Sequence, residues 1–542
     1  MKKHFGALVF IVLLGLAGGI FTLITPSVVS SETHFSADKC AEDIKFISQE
    51  IHNLFHPNAL ARVRNYLVTR MNELNLDPIV MTYEDVEDRI ASDLITINNI
   101  YGKTEGDFPS YILLVAHYDS SPKKRVGEDN DSKGAADDGY GLSVALELVR
   151  LLNNETDPLV NGIKVLFTDG EETGLHGSKF ASQNPEIMEN VSLIINIEAR
   201  GVKGPAVMFE TSANNANIIK LYKKGYMPFS YSLAASVYGQ MSNSTDLTPF
   251  LSLGYNGINI AVLDNLDYYH TAMDNYSNIN LRSIQHYGEQ LYPVVKEFVF
   301  SSDYSSLDWA DANNDSTFFT LLPGIFVTYG PVISWVLLIL AILLCIFLGI
   351  QLLDNRSLKY SFNWLLKWLL NILVITVIGV GITLLMSKIS GIPFKITYMP
   401  RVPGANTILI VLIVIEILFF IITAMRNISR GITTVEVLSG GVLLHLILSI
   451  VMMIFLPGGA FLFVIPCILS ALACISLNLK SLHRLFSGLA IGFIILMFFP
   501  ILYLLHITLT IGSMFLVLFL LGAALAALVP MGIALASATE RF

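Results

Sequence analysis

Long apolar segments constrain this chain most, because its second half contains seven stretches with few charged side chains. They lie at about 325–351, 364–387, 405–425, 434–456, 459–477, 485–505 and 509–536. Backbone amides and carbonyls find no water inside a lipid bilayer, so a run of about 20 apolar residues has to form a helix there. The sequence therefore predicts an integral multi-pass membrane protein in contact with a lipid bilayer.

An eighth apolar run, residues 5–25, follows Lys2 and Lys3. Its length favours an uncleaved anchor that spans the membrane. The alternative is a cleaved signal peptide, whose apolar region is usually shorter. In both cases the positive flank stays in the cytoplasm, and the segment that follows is exported.

Basic residues in the connecting loops agree with this orientation. The three loops that eight spans leave in the cytoplasm carry Arg356, Lys359, Arg426, Arg430, Lys480 and Arg484. The expected outer loop 388–404 is an exception, because it holds Lys388, Lys395 and Arg401. The sequence therefore predicts that the domain after the N-terminal anchor lies outside the cytoplasm. The lysine-led start and the lack of disulfides favour a bacterial plasma membrane over the membrane of an endoplasmic reticulum or vacuole.

Three domains are expected from this pattern. Residues 1–31 form the N-terminal anchor, 32–315 an extracytoplasmic domain, and 316–542 a membrane domain with about seven helices. The middle domain holds 40 of the 44 Asp and Glu residues of a chain with a net charge of −10. An acidic surface argues against nucleic acid as a partner, and Cys40 alone cannot form an internal disulfide. The oligomeric state stays open.

Residues 36–300 alternate helical and strand patterns, which indicates an α/β domain with a mostly parallel sheet flanked by helices, followed by an all-α membrane domain. The expected strands are Leu94–Ile100, Tyr111–Ala116, Ile163–Thr168, Leu193–Ile197 and Gly257–Val262. Their continuous apolar character is typical of strands that are covered on both faces. In such sheets, binding sites form beyond the carboxyl ends of the strands.

Polar motifs stand at or soon after these ends, with the exception of Asp137 and Asp138. His117 closes a strand, and Asp119 two residues later can hold its second ring nitrogen and fix the tautomer. Asp137, in the sequence GAADDGYG, can bridge two metal ions, although Asp137 and Asp138 can also simply cap the next helix. Glu198 closes another strand and can act as a carboxylate ligand.

The Glu171-Glu172 pair follows a buried strand, where two carboxylates are costly unless a cation or a proton offsets their repulsion. One of them can bind a metal while the other moves a proton; a solvated acidic turn is the alternative. His270 supplies a second imidazole. Two imidazoles and three carboxylates suit zinc best, with Co²⁺ or Mn²⁺ as possible replacements.

At this point the chain resembles the M28 family of zinc metallopeptidases over roughly residues 40–300. The motifs that carry the resemblance are LLVAHYDS, GAADDGYG, FTDGEETGLHGS, NIEARG and YYHTAMD. The resemblance implies two Zn²⁺ per chain, one held by His117, Asp137 and Glu198, the other by Asp137, Glu172 and His270. It also implies that Glu171 is the general acid/base. The family often has Asp at position 198; the Glu is similar to the multi-spanning branch of endoplasmic reticulum metallopeptidases and vacuolar membrane proteases.

The expected function is a membrane-anchored zinc metallopeptidase, most simply an aminopeptidase that acts on short peptides. Glu171 and Asp119 are the catalytic candidates, while Tyr269 and Arg200 are candidates for contacting substrate. Alternatives are a receptor or scaffold without catalysis, a transporter with an accessory ectodomain, and a single-zinc enzyme of the glutaminyl cyclase type. Within the spans, Glu416 and His445 are expected to make interhelical hydrogen bonds; a conduction or substrate path is the alternative.

Overall fold

The structure, a computed structural model, describes residues 2–122, 132–241, 243–353, 357–396, 399 and 402–536. Arg356 and Arg401, two of the loop residues considered above, lie outside this range. The chain divides into two compact units. One is Ile24–Thr328, called here the soluble unit. The other, called the membrane unit, combines Met1–Leu23 with Tyr329–Phe542.

The first described element, α1 (Lys2–Thr22), belongs to the membrane unit. The soluble unit follows with helices and strands in alternation. Its elements are α2 (Ala37–Ile47), α3 (Pro57–Glu73), β1 (Ile79–Asp88), β2 (Asp93–Thr104), β3 (Phe108–His117), α4 (Gly139–Asn153), β4 (Asn161–Thr168), α5 (Glu171–Gly174), α6 (His176–Gln183), α7 (Pro185–Met188), β5 (Val191–Ala199), β6 (Lys203–Thr211), α8 (Ala216–Tyr222), α9 (Ser232–Tyr238), α10 (Leu247–Ser252), β7 (Gly257–Asp264) and α11 (Leu281–Phe300).

Seven strands form one sheet in the order β1-β2-β4-β3-β5-β7-β6. The four central strands β4, β3, β5 and β7 run parallel, whereas β1, β2 and β6 pair antiparallel at the two sides. The predicted class of a sheet flanked by helices is confirmed, and the parallel part is its centre. All five predicted strands are present, as β2, β3, β4, β5 and β7.

Both faces of the sheet are covered, which explains the unbroken apolar run of β3. Ile112 and Leu114 pack into the larger core, to which α2, α3, α4 and α11 also contribute. Leu113 and Val115 point the other way, into a smaller core with residues of α6, α7 and α10. Since side chains alternate along a strand, a strand buried on both faces carries apolar residues at every position.

The remaining elements form a hairpin and then the helices of the membrane unit. They are β8 (Thr317–Leu322), β9 (Ile325–Tyr329), α12 (Pro331–Gln351), α13 (Ser357–Ser390), α14 (Ala405–Ile428), α15 (Thr434–Phe455), α16 (Phe461–Ile475), α17 (Lys480–Leu509) and α18 (Met514–Ala536). The hairpin lies at the start of residues 316–542, the expected membrane domain, whose bounds stay a prediction. The first long helix after it begins at Pro331.

Six of the described helices are long and apolar enough to cross a membrane, namely α12, α13, α14, α15, α17 and α18. Two further apolar helices are shorter, at Gly6–Thr22 and Phe461–Ile475. The sequence is that of a membrane protein, and the count of eight spans stays a prediction. Small residues allow the helices to approach closely. Gly15 and Gly19 of α1, for example, lie against Ile495 and Phe499 of α17.

Candidate metal centre

The predicted site residues converge because the central strands are parallel. His117 and Glu198 lie at the carboxyl ends of β3 and β5, and Glu172 follows β4 in the short helix α5. His270 lies in the loop after β7, in a left-handed conformation with φ of 57°. Carboxyl ends of parallel strands meet at one edge of a sheet, so four distant positions reach one place.

One group of potential ligands consists of His117, Asp137 and Glu198, all buried. His117 Nε2 lies 3.3 Å from Asp137 Oδ1 and 3.7 Å from Glu198 Oε2. Asn196 fixes the other oxygen of Glu198, since its Nδ2 donates a 3.1 Å hydrogen bond to Oε1. The three potential ligand atoms lie within 4.8 Å of one another, close enough to surround one ion.

A second group consists of Asp137, Glu172 and His270. His270 Nε2 lies 2.8 Å from Glu172 Oε1 and 3.3 Å from Asp137 Oδ2. Asp137 thus directs one carboxylate oxygen to each group. This is the arrangement that a carboxylate bridging two ions requires, and it agrees with the ligand sets that the sequence predicts.

The polar atoms of the two groups are better satisfied by metal ions than by contacts with one another. Asp137 Oδ2 and His270 Nε2 are buried atoms that make no hydrogen bond, although they lie close together. An unsatisfied buried polar atom is costly, and a cation between them would satisfy both. Imidazole and carboxylate are the donor types that zinc accepts in catalytic sites.

Crowding of buried acids and imidazoles shifts their protonation. Burial, together with the charge of Asp137, raises the pKa of Glu198 to about 8. Burial also raises the pKa of Glu171 well above its usual range. For His270, burial opposes protonation, but the nearby Glu172 and Asp137 carboxylates outweigh it and raise its pKa to about 9. The groups therefore hold protons when no cation is present.

Asp119 occupies a different position from the one expected. Its backbone carbonyl is the nearest partner of His117 Nδ1, at 2.9 Å, while its carboxylate oxygen is 3.6 Å away. The carboxylate instead accepts hydrogen bonds from the backbone N–H groups of Glu171 and Glu172, at 3.1 and 3.2 Å. Asp119 therefore orients both the imidazole and the Glu171-Glu172 turn.

The adjacent acids Asp137 and Asp138 divide the two roles that the sequence left open. Asp138 caps α4, accepting a 3.0 Å hydrogen bond from the N–H of Gly141. Its other oxygen accepts a 3.3 Å hydrogen bond from the N–H of His117. Asp137 points into the site. Helix capping and metal binding are both present, on neighbouring residues.

Asp274 is a supporting residue that the sequence reasoning left without a role. Its carboxylate accepts 2.7 Å hydrogen bonds from the Ala136 N–H and the Ser132 hydroxyl, and lies 3.4 Å from the N–H of Asp137. It stands four residues after His270, so one loop supplies an imidazole and also holds the segment that presents Asp137. The signal was the last letter of YYHTAMD.

Asp246 is a second supporting acid, fully buried beside the site. It accepts a hydrogen bond from the hydroxyl of Thr168, the last residue of β4. The two substrate candidates also lie here. The Tyr269 ring stacks on His270 with centroids 3.6 Å apart. Arg200 follows β5. Burial raises the pKa of Tyr269 and of Tyr238, and the positive charge of Arg200 opposes that rise.

Comparison with known proteins agrees with this geometry. Residues 99–295 match the model of Peptidase family M28. The chain contains a family M28 peptidase domain. Its relatives include endoplasmic reticulum metallopeptidase 1 of Mus musculus, 27% identical over 299 residues, or 52% of this chain and 32% of that protein. Vacuolar membrane protease of Candida dubliniensis is 27% identical over 255 residues, which are 45% of this chain and 26% of the relative.

The M28 domain and its similarity to the membrane branch are therefore confirmed. The matched part spans about a third of the length of these relatives. Among solved structures, Porphyromonas gingivalis glutaminyl cyclase aligns with a TM-score of 0.41 and 22% identity, covering 49% of this chain and 99% of that one. An aminopeptidase from Aneurinibacillus sp. strain AM-1 aligns with a TM-score of 0.41 and 12% identity, covering 49% and 95%.

Proposed function

We propose that the M28 domain is a two-zinc aminopeptidase that trims short peptides while the chain is anchored in a membrane. The observation that carries the proposal is Asp137, which offers one carboxylate oxygen to each of two ligand groups. A site for a single ion needs no such shared carboxylate. Bound zinc would polarise the scissile carbonyl and stabilise the negative charge that develops on its oxygen.

Glu171 is the proposed general acid/base. It opens α5 next to the ligand Glu172, and its backbone N–H is held by the Asp119 carboxylate. Part of Glu171 remains accessible, whereas Glu172 is buried. The accessible carboxylate takes a proton from the attacking water and gives it to the leaving amine. The buried carboxylate is a ligand.

Tyr269 and Arg200 are proposed to contact the substrate. The Tyr269 ring stacks on His270, and its hydroxyl is proposed to donate a hydrogen bond to the oxygen of the scissile carbonyl. Arg200 brings positive charge beside a strongly acidic centre. It can pair with a peptide carboxylate or with a neighbouring acid of the protein.

The proposed location of the peptidase domain is outside the cytoplasm, most simply on a bacterial plasma membrane. Lys359, Arg426, Lys480 and their basic neighbours support this orientation, because basic loops stay inside. The alternative membranes are those of the endoplasmic reticulum and vacuole. Labelling of single cysteines introduced at exposed loop positions, by a reagent that cannot cross the membrane, tests the orientation.

The test of function compares peptides with free and with blocked amino termini, using the full purified chain. An aminopeptidase cleaves only the free form and releases the first residue. Metal analysis is expected to give about two zinc ions per chain. Cleavage of blocked peptides would show an endopeptidase or carboxypeptidase. One zinc, with ring closure of an amino-terminal glutamine and no hydrolysis, would instead identify a cyclase.

A further inference from the structure

A single carboxyl group lies on the packed face of α14. The buried residues of this helix are Leu409, Leu412, Glu416, Phe420 and Ala424. Their spacing of three or four residues places them on one stripe. The opposite face is exposed and apolar, with Val414, Ile415 and Leu418 each about half accessible, as expected for a helix against lipid. Glu416 is the one ionisable residue in an otherwise apolar stripe.

The neighbours of Glu416 leave room for its carboxyl group but do not bind it. A Cβ added to Gly522 of α18 would lie 2.8 Å from Glu416 Oε1 and 2.8 Å from Ile372 of α13. Neither carboxyl oxygen has a hydrogen-bond partner among the described residues, although the side chain is fully buried. The expected interhelical hydrogen bond is therefore not formed. An ionised carboxylate in such surroundings would be strongly disfavoured.

Among the described residues, no charged group pairs with Glu416. His506 of α17 contacts α14 at Asn406, with Nε2 2.8 Å from Asn406 Oδ1, in the first turn and ten residues before Glu416. Described residues of α18 and of the turn before it contain no ionisable side chain. On α13, Lys367 donates a 3.1 Å hydrogen bond to Asn427, near the far end of α14, and lies over the Trp364 ring. A proton is thus the species that can neutralise Glu416 where it lies.

The connections of α14 allow its packed face to open. Gly404 precedes the helix with φ of 74°, and Gly431 follows it with φ of 89°. Nothing lies within 4 Å of a Cβ added at either glycine. Among the described elements, the helix packs mainly on α18 and α13, and its opposite face is exposed. A tilt of α14 would move the Glu416 carboxyl away from Gly522 and Ile372 with little change at the helix ends.

We propose that Glu416 is a proton-binding site of the membrane unit, which holds a proton while α14 packs on α18 and releases it when the contact opens. The site goes beyond peptide hydrolysis. It gives the membrane unit a chemical property that an anchor does not need.

The test is infrared difference spectroscopy of the full chain in lipid vesicles, with wild type compared with Glu416→Gln. A protonated carboxyl shows a carbonyl band that a carboxylate lacks. The band is expected at mildly acidic pH, shifted in heavy water, lost reversibly at alkaline pH, and absent from the variant. Absence of the band at every pH would overturn the proposal, as would a band that persists unchanged at alkaline pH.

Two further variants keep the test decisive. The first control is Glu436, which lies in the first turn of α15 in the membrane unit. Its carboxylate accepts a 2.9 Å hydrogen bond from the N–H of Thr433, so Glu436→Gln should remove no such band. Gly522→Ala presses a methyl group on the Glu416 carboxyl, loosens the contact, and should let the band disappear at lower pH. An unchanged midpoint in Gly522→Ala would refute the link between proton release and the α14–α18 contact.

If Glu416→Gln fails to fold, Glu416→Asp serves in its place, because it keeps the acid and should shift the band. An identical spectrum in wild type and Glu416→Asp would assign the band to another group and overturn the proposal. Peptide hydrolysis is not part of this readout. The proton site therefore stands or fails independently of the proposed aminopeptidase.

Discussion

Buried carboxyl groups are treated in opposite ways in the two units. In the soluble unit, acids gather around His117 and His270, and backbone amides and hydroxyls hold the supporting ones, such as Asp119 and Asp274. In the membrane unit, Glu416 is buried without a described partner. Acids that accept hydrogen bonds and lie beside imidazoles can bind cations. An isolated acid in apolar surroundings can only bind a proton. Burial alone therefore does not reveal the role of an acid; its neighbours do.

The largest expected effect is loss of catalysis in Glu171→Gln. Removal of a general acid/base typically lowers the rate by about 10²–10⁴-fold, and the ligands of both groups remain. Turnover of a free-amino peptide and zinc content are measured on the same sample. The matched control is Glu186→Gln, an exposed change on α7. Full activity in Glu171→Gln would exclude the proposed proton transfer.

The next effect separates a shared ligand from an unshared one. Asp137→Asn should lower the zinc content from about two ions to fewer than one, because both groups use this carboxylate. Glu172→Gln should remove about one, because it belongs to one group. Metal analysis after exhaustive dialysis distinguishes the two. Equal losses in the two variants would refute the bridging role of Asp137.

Stability without metal should depend strongly on pH. The pKa of Glu198 is raised to about 8 in the folded chain, so the folded state binds its proton more tightly, and stability falls as pH rises toward 8. The pKa of His270 is raised to about 9, so its stabilisation is complete below its ordinary value and is lost through about 9. Both contributions have the same sign.

The measurement is proteolysis in urea, scored by cleavage within residues 24–328. The urea midpoint of metal-free chain should fall between mildly acidic and alkaline pH, while zinc-loaded chain should change less, because bound cations replace the protons. A metal-free midpoint that rises with pH would contradict the protonation states described here. That result would also mean that the metal centre keeps its carboxylates ionised without a cation. The difference between these acids and Glu416 would then be lost.

A smaller effect is expected from the support around the site. Asp274→Asn keeps one acceptor oxygen but places an amide against the N–H of Asp137 or the Ser132 hydroxyl. Loss of such an outer partner typically weakens metal binding by about 10–100-fold. Zinc competition with a chelator measures this, and activity should return at excess zinc. Asp303→Asn, an exposed change, is the control. Activity that stays low at saturating zinc would indicate a general loss of structure.

The sequence predicts the centre of the sheet better than its borders. The five predicted strands are the inner strands β2, β4, β3, β5 and β7. Apolar residues dominate the four central ones because both faces are covered. The missed strands β1 and β6 lie at the edges, and their apolar runs are short and bounded by charged or polar residues. Strand β9 falls inside the expected apolar segment 325–351, since its apolar residues run directly into α12. Composition alone does not separate a short strand pair from a helix that follows at once.

At the site, residue identity predicts which groups meet but not how they share hydrogen bonds. His117, Asp137, Glu172, Glu198 and His270 come together as the motifs indicate. The carboxylate of Asp119 turns to the amides of α5 because those N–H groups have no partner inside so short a helix. Its backbone carbonyl then takes the His117 contact. Such exchanges between backbone and side chain leave no mark in a sequence.

The smallest predicted effect is also the most direct comparison of the two units. Glu416→Met should leave the stability of the membrane unit unchanged or raise it by about 1 kcal/mol, because an apolar side chain of similar length replaces an unpartnered acid. Unfolding of the full chain in detergent, followed by helix content, measures this. Glu198→Met should instead abolish zinc binding in its group, since it removes a ligand. Strong destabilisation by Glu416→Met would show that the carboxyl has a partner in the folded bundle, and the two units would then handle buried acids in the same way.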